Sequence, residues 1–160
     1  MKIAYSLGKI TLFAFIFLAF TLTACKDDKE AEPQPTDTNP IVGKWHLISV
    51  TPEAAGTTIP ALQFINTVAP CIFDLKLTFN PNNTITPSDC PAAVTAIDPF
   101  VPVGADARWK VAGEKLTLSK GTASQEFKIT QTETKLIVVV NTNQDTTKPP
   151  VNALLEFKKL

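Results

Sequence analysis

Three cysteines and a single histidine are the side chains of this sequence with the widest chemical repertoire. Cys25 follows the residues Leu22-Thr23-Ala24, whereas Cys71 and Cys90 flank a stretch of alternating apolar and polar residues. A thiol can be modified covalently, form a disulfide or bind a metal. His46 is the one imidazole, so a serine nucleophile in need of a histidine base would depend on it.

The sequence contains few other signs of catalysis. It has no Gly-x-Ser-x-Gly, no glycine-rich phosphate loop and no His-Glu-x-x-His. His46 adjoins Trp45 in a predicted strand, so the two side chains should point to opposite faces. The carboxylates lie at turns or alternate with apolar residues, as solvated positions do: Asp74, Glu114, Glu126 and Glu133. A glycosidase pair could still assemble in three dimensions, but we expect a protein that is not an enzyme, with no catalytic residues, metal or cofactor.

The first twenty-four residues have the organisation of an export signal. Lys2 and Lys9 provide a positive start, and the apolar run 10–20 follows. A run of about eleven residues is too short to span a hydrocarbon core of ~30 Å as a helix. A positive start, a short apolar run and small residues before a cut describe a signal peptide over 1–24.

The residues at the cut, Leu22-Thr23-Ala24-Cys25, resemble the lipobox of bacterial lipoproteins. The resemblance implies that Cys25 receives a diacylglyceryl group, becomes the first residue of the mature chain and is held on a membrane by lipid. Two or more acyl chains anchor a protein stably, since each buried methylene contributes roughly 0.8 kcal/mol. The alternative is an ordinary signal peptide whose cut falls near a cysteine.

Residues 25–40 differ in composition from the segments on both sides. They contain no aliphatic residue larger than alanine and are rich in charge and proline, which predicts a flexible tether. Its start, Lys26-Asp27-Asp28-Lys29-Glu30, resembles the surface-export signal of some Gram-negative lipoproteins. The expected location is the outer membrane of a Gram-negative bacterium, with cell-surface display as one interpretation and a plain spacer as the other.

The remaining residues, 41–160, have the length of one domain. Without 1–24 the chain carries thirteen basic and fifteen acidic side chains, a net charge of −2, and has no basic block. Nucleic-acid binding is therefore not supported. The expected partners are a membrane, through the lipid on Cys25, and a small apolar ligand, and we expect a monomer.

Cys71 and Cys90 are expected to form a disulfide, because an exported domain works outside the reducing cytosol. Closing a loop of about 20 residues contributes roughly 3 kcal/mol in the chain-entropy model. The alternative is a pair of metal ligands, but a four-ligand zinc site is hard to assemble with a single histidine.

A hydrophobic period of two dominates 41–160 and predicts about eight strands joined mostly by short loops. In the stretch 72–79 four apolar residues share one face: Phe73, Leu75, Leu77 and Phe79. The first strand, 43–50, should place Trp45, Leu47 and Ser49 on one face. Further strands are expected from Thr84 and over 107–111, 115–119, 125–130, 135–141 and 151–159. Such an antiparallel meander predicts an all-β, up-and-down barrel of about eight strands, a size that suits a small ligand.

Two segments depart from this period. Pro60–Val68 has the apolar spacing of one short helix. The segment 91–106 is long, apolar and proline-bearing, and reads as an irregular loop. A cover over the barrel mouth is one interpretation of either segment, and ordinary packing against the outside of the sheet is the other.

Several short motifs, taken in order, resemble one family. They are Gly43-Lys44-Trp45, Cys71, Phe79-Asn80, Cys90 and a tryptophan strand followed by a Leu-Thr-Leu arm over 109–118. Their order and spacing are similar to those of the lipocalin-like domains of bacterial lipoproteins, across nearly all of 41–160. The resemblance implies a lipocalin-like barrel.

Two features of classical lipocalins have no direct counterpart. The Thr-Asp-Tyr motif is absent, since the one tyrosine, Tyr5, lies in the signal peptide. The late-strand arginine that packs over the motif tryptophan is also missing, because Arg108 adjoins Trp109 instead. The cation over Trp45 would have to come from Lys158 or Lys159.

The barrel and the resemblance together imply a module that binds a small apolar or amphipathic ligand. The candidate ligand contacts are Trp45, Leu62, Phe64, Phe100, Trp109 and Phe127. The second hypothesis is a non-enzymatic structural or interaction module whose barrel is filled with side chains and which docks on an envelope partner. Interior volume discriminates the two, since ligand sites usually enclose ~300–1,000 Å³. A third reading, an inhibitor of an external hydrolase, rests on fold analogy alone.

Overall fold

The computed structural model describes residues 36–143, 145 and 147–160. The strands in this part of the chain are β1 (Gly43–Pro52), β2 (Lys76–Phe79), β3 (Ile85–Ser88), β4 (Arg108–Ala112), β5 (Lys115–Lys120), β6 (Ala123–Gln131), β7 (Lys135–Asn141) and β8 (Asn152–Lys159). The helices are α1 (Pro60–Val68) and α2 (Pro91–Ile97), and a 3₁₀ turn covers Ile72–Asp74. The predictions for 1–24, for Cys25 and for the tether up to residue 35 lie outside the described residues.

The strands form one antiparallel sheet in the order β3-β2-β1-β8-β7-β6-β5-β4. The sheet curls until its two edge strands, β3 and β4, meet at a single bridge between Thr84 and Arg108. Beside that bridge the Trp109 N–H donates to the Asn83 carbonyl at 2.8 Å. The result is a nearly closed, eight-stranded meander, so the predicted all-β, up-and-down barrel is confirmed.

Two short helices are present where the sequence predicted one. α1 has the predicted bounds, whereas α2 lies within 91–106, which the sequence analysis treated as an irregular loop. Pro91 occupies the first turn of α2, where its missing N–H needs no partner. The Sγ of Cys90 accepts a hydrogen bond from the Ala93 N–H at 3.4 Å. The loop prediction was wrong for 91–97 because a proline at the first helical position starts a helix.

The alternation predicted for 72–79 holds only from Leu75 onward. Ile72–Asp74 forms the 3₁₀ turn, in which the Asp74 N–H donates to the Cys71 carbonyl at 2.8 Å. Because a 3₁₀ turn has three residues per turn, the side chains do not alternate there. Ile72 is therefore buried, and the Phe73 side chain, predicted to share the inner face, is 46% exposed.

A β-bulge changes which residues of β1 face inward. Leu47 pairs with Phe157 and Ser49 with the neighbouring Glu156, so Ile48 is an extra residue in the ladder. Beyond the bulge Ser49 shares the outer face with Glu156. The predicted inward position of Ser49 was therefore wrong, since an alternation count continues through a bulge.

We call the end of the barrel where β1 begins and β8 ends the closed end. Trp45 lies there with no exposed surface, and its Nε1–H donates to the Ile41 carbonyl at 2.6 Å. The Lys159 Nζ lies 5.1 Å from the Trp45 ring centroid and donates to the Pro40 carbonyl at 2.8 Å. Of the two lysines that the sequence offered, Lys159 thus supplies the cation over the tryptophan.

Gly43 is required by both backbone and space at this end. Its φ is +134°, a conformation that side chains with a Cβ rarely adopt, and a Cβ would lie 2.8 Å from the Lys159 Cε. The Lys159 side chain, which covers Trp45, therefore also passes directly over Gly43.

The last residues of the predicted tether lie against the closed end. The Asp37 N–H donates to the Pro81 carbonyl at 2.8 Å, and the Asn83 amide donates to the Asp37 carboxylate at 2.9 Å. Asn39 accepts hydrogen bonds from the Ile41 N–H at 3.0 Å and the Gln131 amide at 3.3 Å. The chain thus reaches β1 by way of the closed end.

The predicted disulfide between Cys71 and Cys90 is present, with the Cα atoms 5.7 Å apart and a sequence separation of 19. It joins the residue before the 3₁₀ turn to the residue that caps α2. Two segments outside the strands are therefore tied to each other.

Residues 36–160 carry a core of their own. All the strand pairings and the disulfide described above lie within this segment, and so does a cluster of buried apolar side chains that includes Trp45, Leu116 and Phe157. A segment with a self-contained core and hydrogen bonding has what an independently folding domain needs. Among the described residues, no helix is both long and apolar enough to cross a bilayer.

Candidate ligand site at the barrel mouth

The mouth is the end of the barrel opposite Trp45, where β1 ends and β8 begins. Both helices lie there: α1 follows β1 after a short connection, and α2 follows β3. The helices contact each other. The disulfide joins Cys71, which follows α1, to Cys90, which caps α2, so the segments that adjoin the two helices are linked covalently.

A cavity of about 40 Å³ lies beneath the helices at the mouth. Its walls come from β1, β7, β8, the 3₁₀ turn, both helices and the segments that adjoin them. The lining residues are Leu47, Val50, Ala61, Leu62, Ile65, Ile72, Leu75, Ile97, Phe100, Val101, Val140, Thr142, Ala153 and Leu155.

The lining is apolar at every position except Thr142. The Thr142 hydroxyl donates to the Val151 carbonyl at 2.8 Å, so this group already has a partner. No carboxylate, amine, imidazole or thiol lines the cavity. Such a wall favours apolar groups, and it offers nothing that could activate a polar substrate as a general acid, a base or a strong nucleophile.

The barrel interior below the mouth is filled with side chains. A second cavity, of about 10 Å³, shares Ile97, Val101 and Leu155 with the first and continues toward the closed end. Both volumes are far below the ~300–1,000 Å³ of ordinary small-molecule sites. Any ligand room in the described barrel is therefore confined to the mouth.

Helix α1 is the less firmly held of the two covers. None of its nine residues is buried, and no side chain caps its N-terminus. Ala61, Leu62 and Ile65 face the cavity, whereas Phe64 does not line it and is 69% exposed. Few buried contacts give a helix a low cost of local opening.

Helix α2 is fastened more strongly. Its Ala93 and Ile97 are buried. Just beyond it the Lys120 Nζ contacts the Asp98 carboxylate at 2.7 Å and donates to the Val103 carbonyl at 3.1 Å. Of the two covers of the cavity, α2 is therefore firmly held, whereas α1 buries no complete side chain.

The six predicted ligand contacts fall in different places. Leu62 and Phe100 line the mouth cavity. Trp45 lies at the closed end. Phe127 is buried in the core and lines neither interior cavity, and Phe64 is exposed. Trp109 is buried near the seam between β3 and β4, where its ring meets that of Phe79 edge-on at 5.8 Å.

Sequence reasoning missed most of the lining. Val50 faces inward only because of the bulge at Ile48, and Ile72 only because of the 3₁₀ turn. Thr142 directly follows β7 and Ala153 lies at the start of β8. Neither residue type indicates a ligand site. The one usable signal was the helical spacing of Pro60–Val68, which identified Leu62.

Two surface depressions are larger than the mouth cavity but shallow. One of about 330 Å³ lies beside β3 and α2, and one of about 500 Å³ lies at the seam between β3 and β4. Both are open to solvent and have polar groups in their walls, so neither encloses an apolar ligand.

The titratable groups with shifted pKa values lie outside the mouth cavity. A hydrogen bond from the Ser88 hydroxyl, with a further contribution from Lys76, holds the pKa of Asp89 below its ordinary value. Hydrogen bonds from Thr147 and then Lys148 lower the pKa of Asp145 in the same way. Both carboxylates are solvent-exposed, as surface ion pairs usually are.

His46 points away from Trp45, as the strand period predicted. Its Nε2 lies 2.6 Å from the Phe73 carbonyl, which ties β1 to the 3₁₀ turn. Among the described residues, no group of three or more His, Cys, Asp or Glu side chains is placed to hold a metal ion. Comparisons of the chain with protein-family models, with curated proteins and with solved structures find no significant match.

Proposed function

We propose that this chain is a lipid-anchored, extracytoplasmic and non-enzymatic barrel that binds one apolar or amphipathic ligand at its mouth. The observation that carries the proposal is the mouth cavity itself: thirteen of its fourteen lining residues are apolar, and the remaining hydroxyl is already hydrogen-bonded. A wall of this kind favours an alkyl chain or an apolar ring.

Binding requires α1 to move, because the closed cavity of about 40 Å³ holds no more than a few carbon atoms. Moving α1 outward costs the helix little burial of its own, since none of its residues is buried, and the ligand then covers the buried wall residues beneath it, such as Leu47 and Leu75. The apolar face of the displaced helix, including Leu62 and Ile65, then contacts the ligand in place of the barrel wall. A polar head group would remain in solvent at the rim.

The closed end supports the family assignment in this proposal. The nearly closed eight-stranded meander is compatible with a lipocalin-like fold. Gly43-Lys44-Trp45 opens β1, and Lys159 of the last strand lies over Trp45 where classical lipocalins place an arginine. The lipobox-like residues before Cys25 support lipid anchoring, and from the charged residues that follow it we propose the outer membrane of a Gram-negative bacterium.

Titration of the 36–160 segment with a fluorescent polyene fatty acid tests the ligand site. We expect saturable binding by the wild-type segment. Leu62→Trp, which fills the cavity, should weaken binding at least about tenfold, because the ligand and the indole compete for the same volume. Phe64→Trp is the matched control on the exposed side of α1 and should bind like the wild type.

Native mass spectrometry of the same segment tests independently whether a ligand is bound. A bound apolar compound that leaves on denaturation would support the proposal and identify the ligand class. Absence of binding by the wild type, or equal binding by Leu62→Trp, would contradict it.

The filled interior supports a second candidate, an interaction module that acts through its surface on an envelope partner. Besides the small cavities, four large apolar side chains between β1 and the 3₁₀ turn are 44–69% exposed: Ile48, Phe64, Val68 and Phe73. If the segment binds no apolar ligand in either experiment, this candidate becomes the better account.

A further inference from the structure

Basic and acidic side chains occupy different parts of this barrel. Ten of the eleven lysine and arginine residues in the described part of the chain lie in strands, whereas only two of its eleven acidic residues, Glu126 and Glu156, do so. The acidic groups lie in turns and connections instead. The wall of the barrel is therefore positive although the described segment is neutral overall.

On one part of the wall the basic residues stand directly opposite one another. The strand register pairs His46 of β1 with Lys76 of β2 on one side and with Lys158 of β8 on the other. Lys158 in turn pairs with Lys135 of β7. We call these four residues the basic row.

The basic row faces outward on all four strands. Each of its members alternates with a buried neighbour: Trp45 and Leu47 beside His46, Leu77 beside Lys76, Phe157 beside Lys158 and Leu136 beside Lys135. Lys44 lies on the same outer face of β1, two residues from His46. The row and Lys44 thus place four lysines and the histidine on one surface.

Only part of this charge is neutralised by neighbours. Lys76 contacts the Asp89 carboxylate at 3.2 Å, and Lys135 contacts Glu156 at 2.8 Å. Within the described residues neither Lys44 nor Lys158 has an ion-pair partner within 4 Å. Lys158 and Lys135 stand directly opposite each other, and directly opposed like charges weaken a sheet, so the fold does not explain this pair.

The basic row also lies toward the end at which the chain arrives. Residues 37–40 cross the closed end and are hydrogen-bonded to it, with Pro40 bound by the Lys159 ammonium. In the sequence only ten residues separate Cys25 from residue 36. Even fully extended, ten residues span no more than about 36 Å. A lipid on Cys25 would therefore keep residue 36 within roughly this distance of the bilayer.

We propose that the basic row, together with Lys44, binds the anionic head groups of the membrane surface. The row supplies several ammonium groups on one face, and each basic side chain near an anionic surface strengthens attachment. Lipid and a basic patch together anchor more firmly than either signal alone. The outer face of β2, β1, β8 and β7 near the closed end is then turned toward the bilayer.

The inference rests on the proposed lipid anchor, which brings the barrel to a membrane, but its test does not need the anchor. The 36–160 segment lacks Cys25, so any binding to vesicles comes from the barrel surface. We expect it to co-sediment with vesicles that contain phosphatidylglycerol at low salt, and not with vesicles of phosphatidylcholine alone. High salt should release it, because exposed charges are screened over a few Å at about 1 M salt.

Charge reversal locates the surface. Lys44→Glu with Lys158→Glu should lower the partition coefficient onto phosphatidylglycerol vesicles at least about tenfold. The matched control, Lys110→Glu with Lys128→Glu, makes the same change in net charge on exposed positions of β4 and β6. It should retain most of the binding, and both variants should unfold in urea at a midpoint no lower than that of the wild type, since each replaces one lysine of a directly opposed pair by glutamate.

Two results would overturn the inference. No binding of the wild-type segment to anionic vesicles would show that the row does not recognise head groups. Equal losses in the two charge-reversal variants would show that binding follows net charge and not the row. Neither result bears on the mouth site, whose apolar ligand is measured without vesicles.

Discussion

The closed end and the mouth of the barrel are built from the same sheet but are held in different ways. At the closed end Trp45 is fully buried, hydrogen-bonded and covered by a lysine. At the mouth α1 buries none of its residues, and Phe64 is largely exposed. One end therefore carries much of the stability, and the other end has a cover that can move at small cost. For this reason we place the proposed ligand site at the second.

The largest expected effect separates the two ends by truncation of one aromatic residue at each. Trp45→Ala should lower the free energy of unfolding by about 3–5 kcal/mol, because it leaves a cavity in the core. Phe64→Ala should change it by no more than about 0.5 kcal/mol, because an exposed side chain loses little on truncation. Urea unfolding of the 36–160 segment measures both, with Trp109 fluorescence as the signal. Equal losses of unfolding free energy in the two variants would contradict the difference in stability between the two ends.

The disulfide should account for much of the order at the mouth. Replacing both cysteines, Cys71→Ala and Cys90→Ala, should lower the free energy of unfolding by about 3 kcal/mol, since the loop they close spans about 20 residues. Hydrogen exchange should accelerate first in α2 and at Ile72–Asp74. The chemically reduced wild type is the control. Faster exchange first around Trp45 would contradict our comparison of the two ends.

A pair of glycine substitutions gives the smallest effects. Gly43→Ala at the closed end meets both an unfavourable φ and the Lys159 Cε, and should cost about 1–3 kcal/mol. Gly56→Ala has a φ of +78° and no atom within 4 Å of the added Cβ, so it should cost only about 1–2 kcal/mol.

Adding Lys159→Ala to Gly43→Ala isolates the contact between these residues. The steric part of the loss should disappear in the double variant while the backbone part remains, so the two losses should not add. Additive losses would mean that Lys159 does not restrain the glycine.

Much of the sheet was predictable because a period of two survives wherever one face of a strand is buried. β7 has the predicted bounds, and β8 differs by one residue at its start. The predictions failed where the period is interrupted by backbone geometry. A bulge at Ile48 and a 3₁₀ turn at Ile72–Asp74 each reverse the side-chain phase, and neither carries a residue type that marks it.

The mouth site was less predictable than the sheet. Leu62 and Phe100 were identified because they belong to the two segments that break the strand period. The other candidates were chosen by size and aromatic character, which mark core residues as readily as ligand contacts. Trp45 and Phe127 are buried side chains of this kind. Which large residues surround an empty volume depends on how the strands close.

The sequence by itself determined the all-β architecture, the position of α1 and the pairing of the two cysteines that remain after Cys25. These follow from local periodicity and from the number of residues able to react. The tertiary structure alone decided that the barrel is filled, that Lys159 covers Trp45 and that Lys76, His46, Lys158 and Lys135 stand in one row. Each of these depends on which residues the strand register brings together from distant parts of the chain, and local pattern contains no such information.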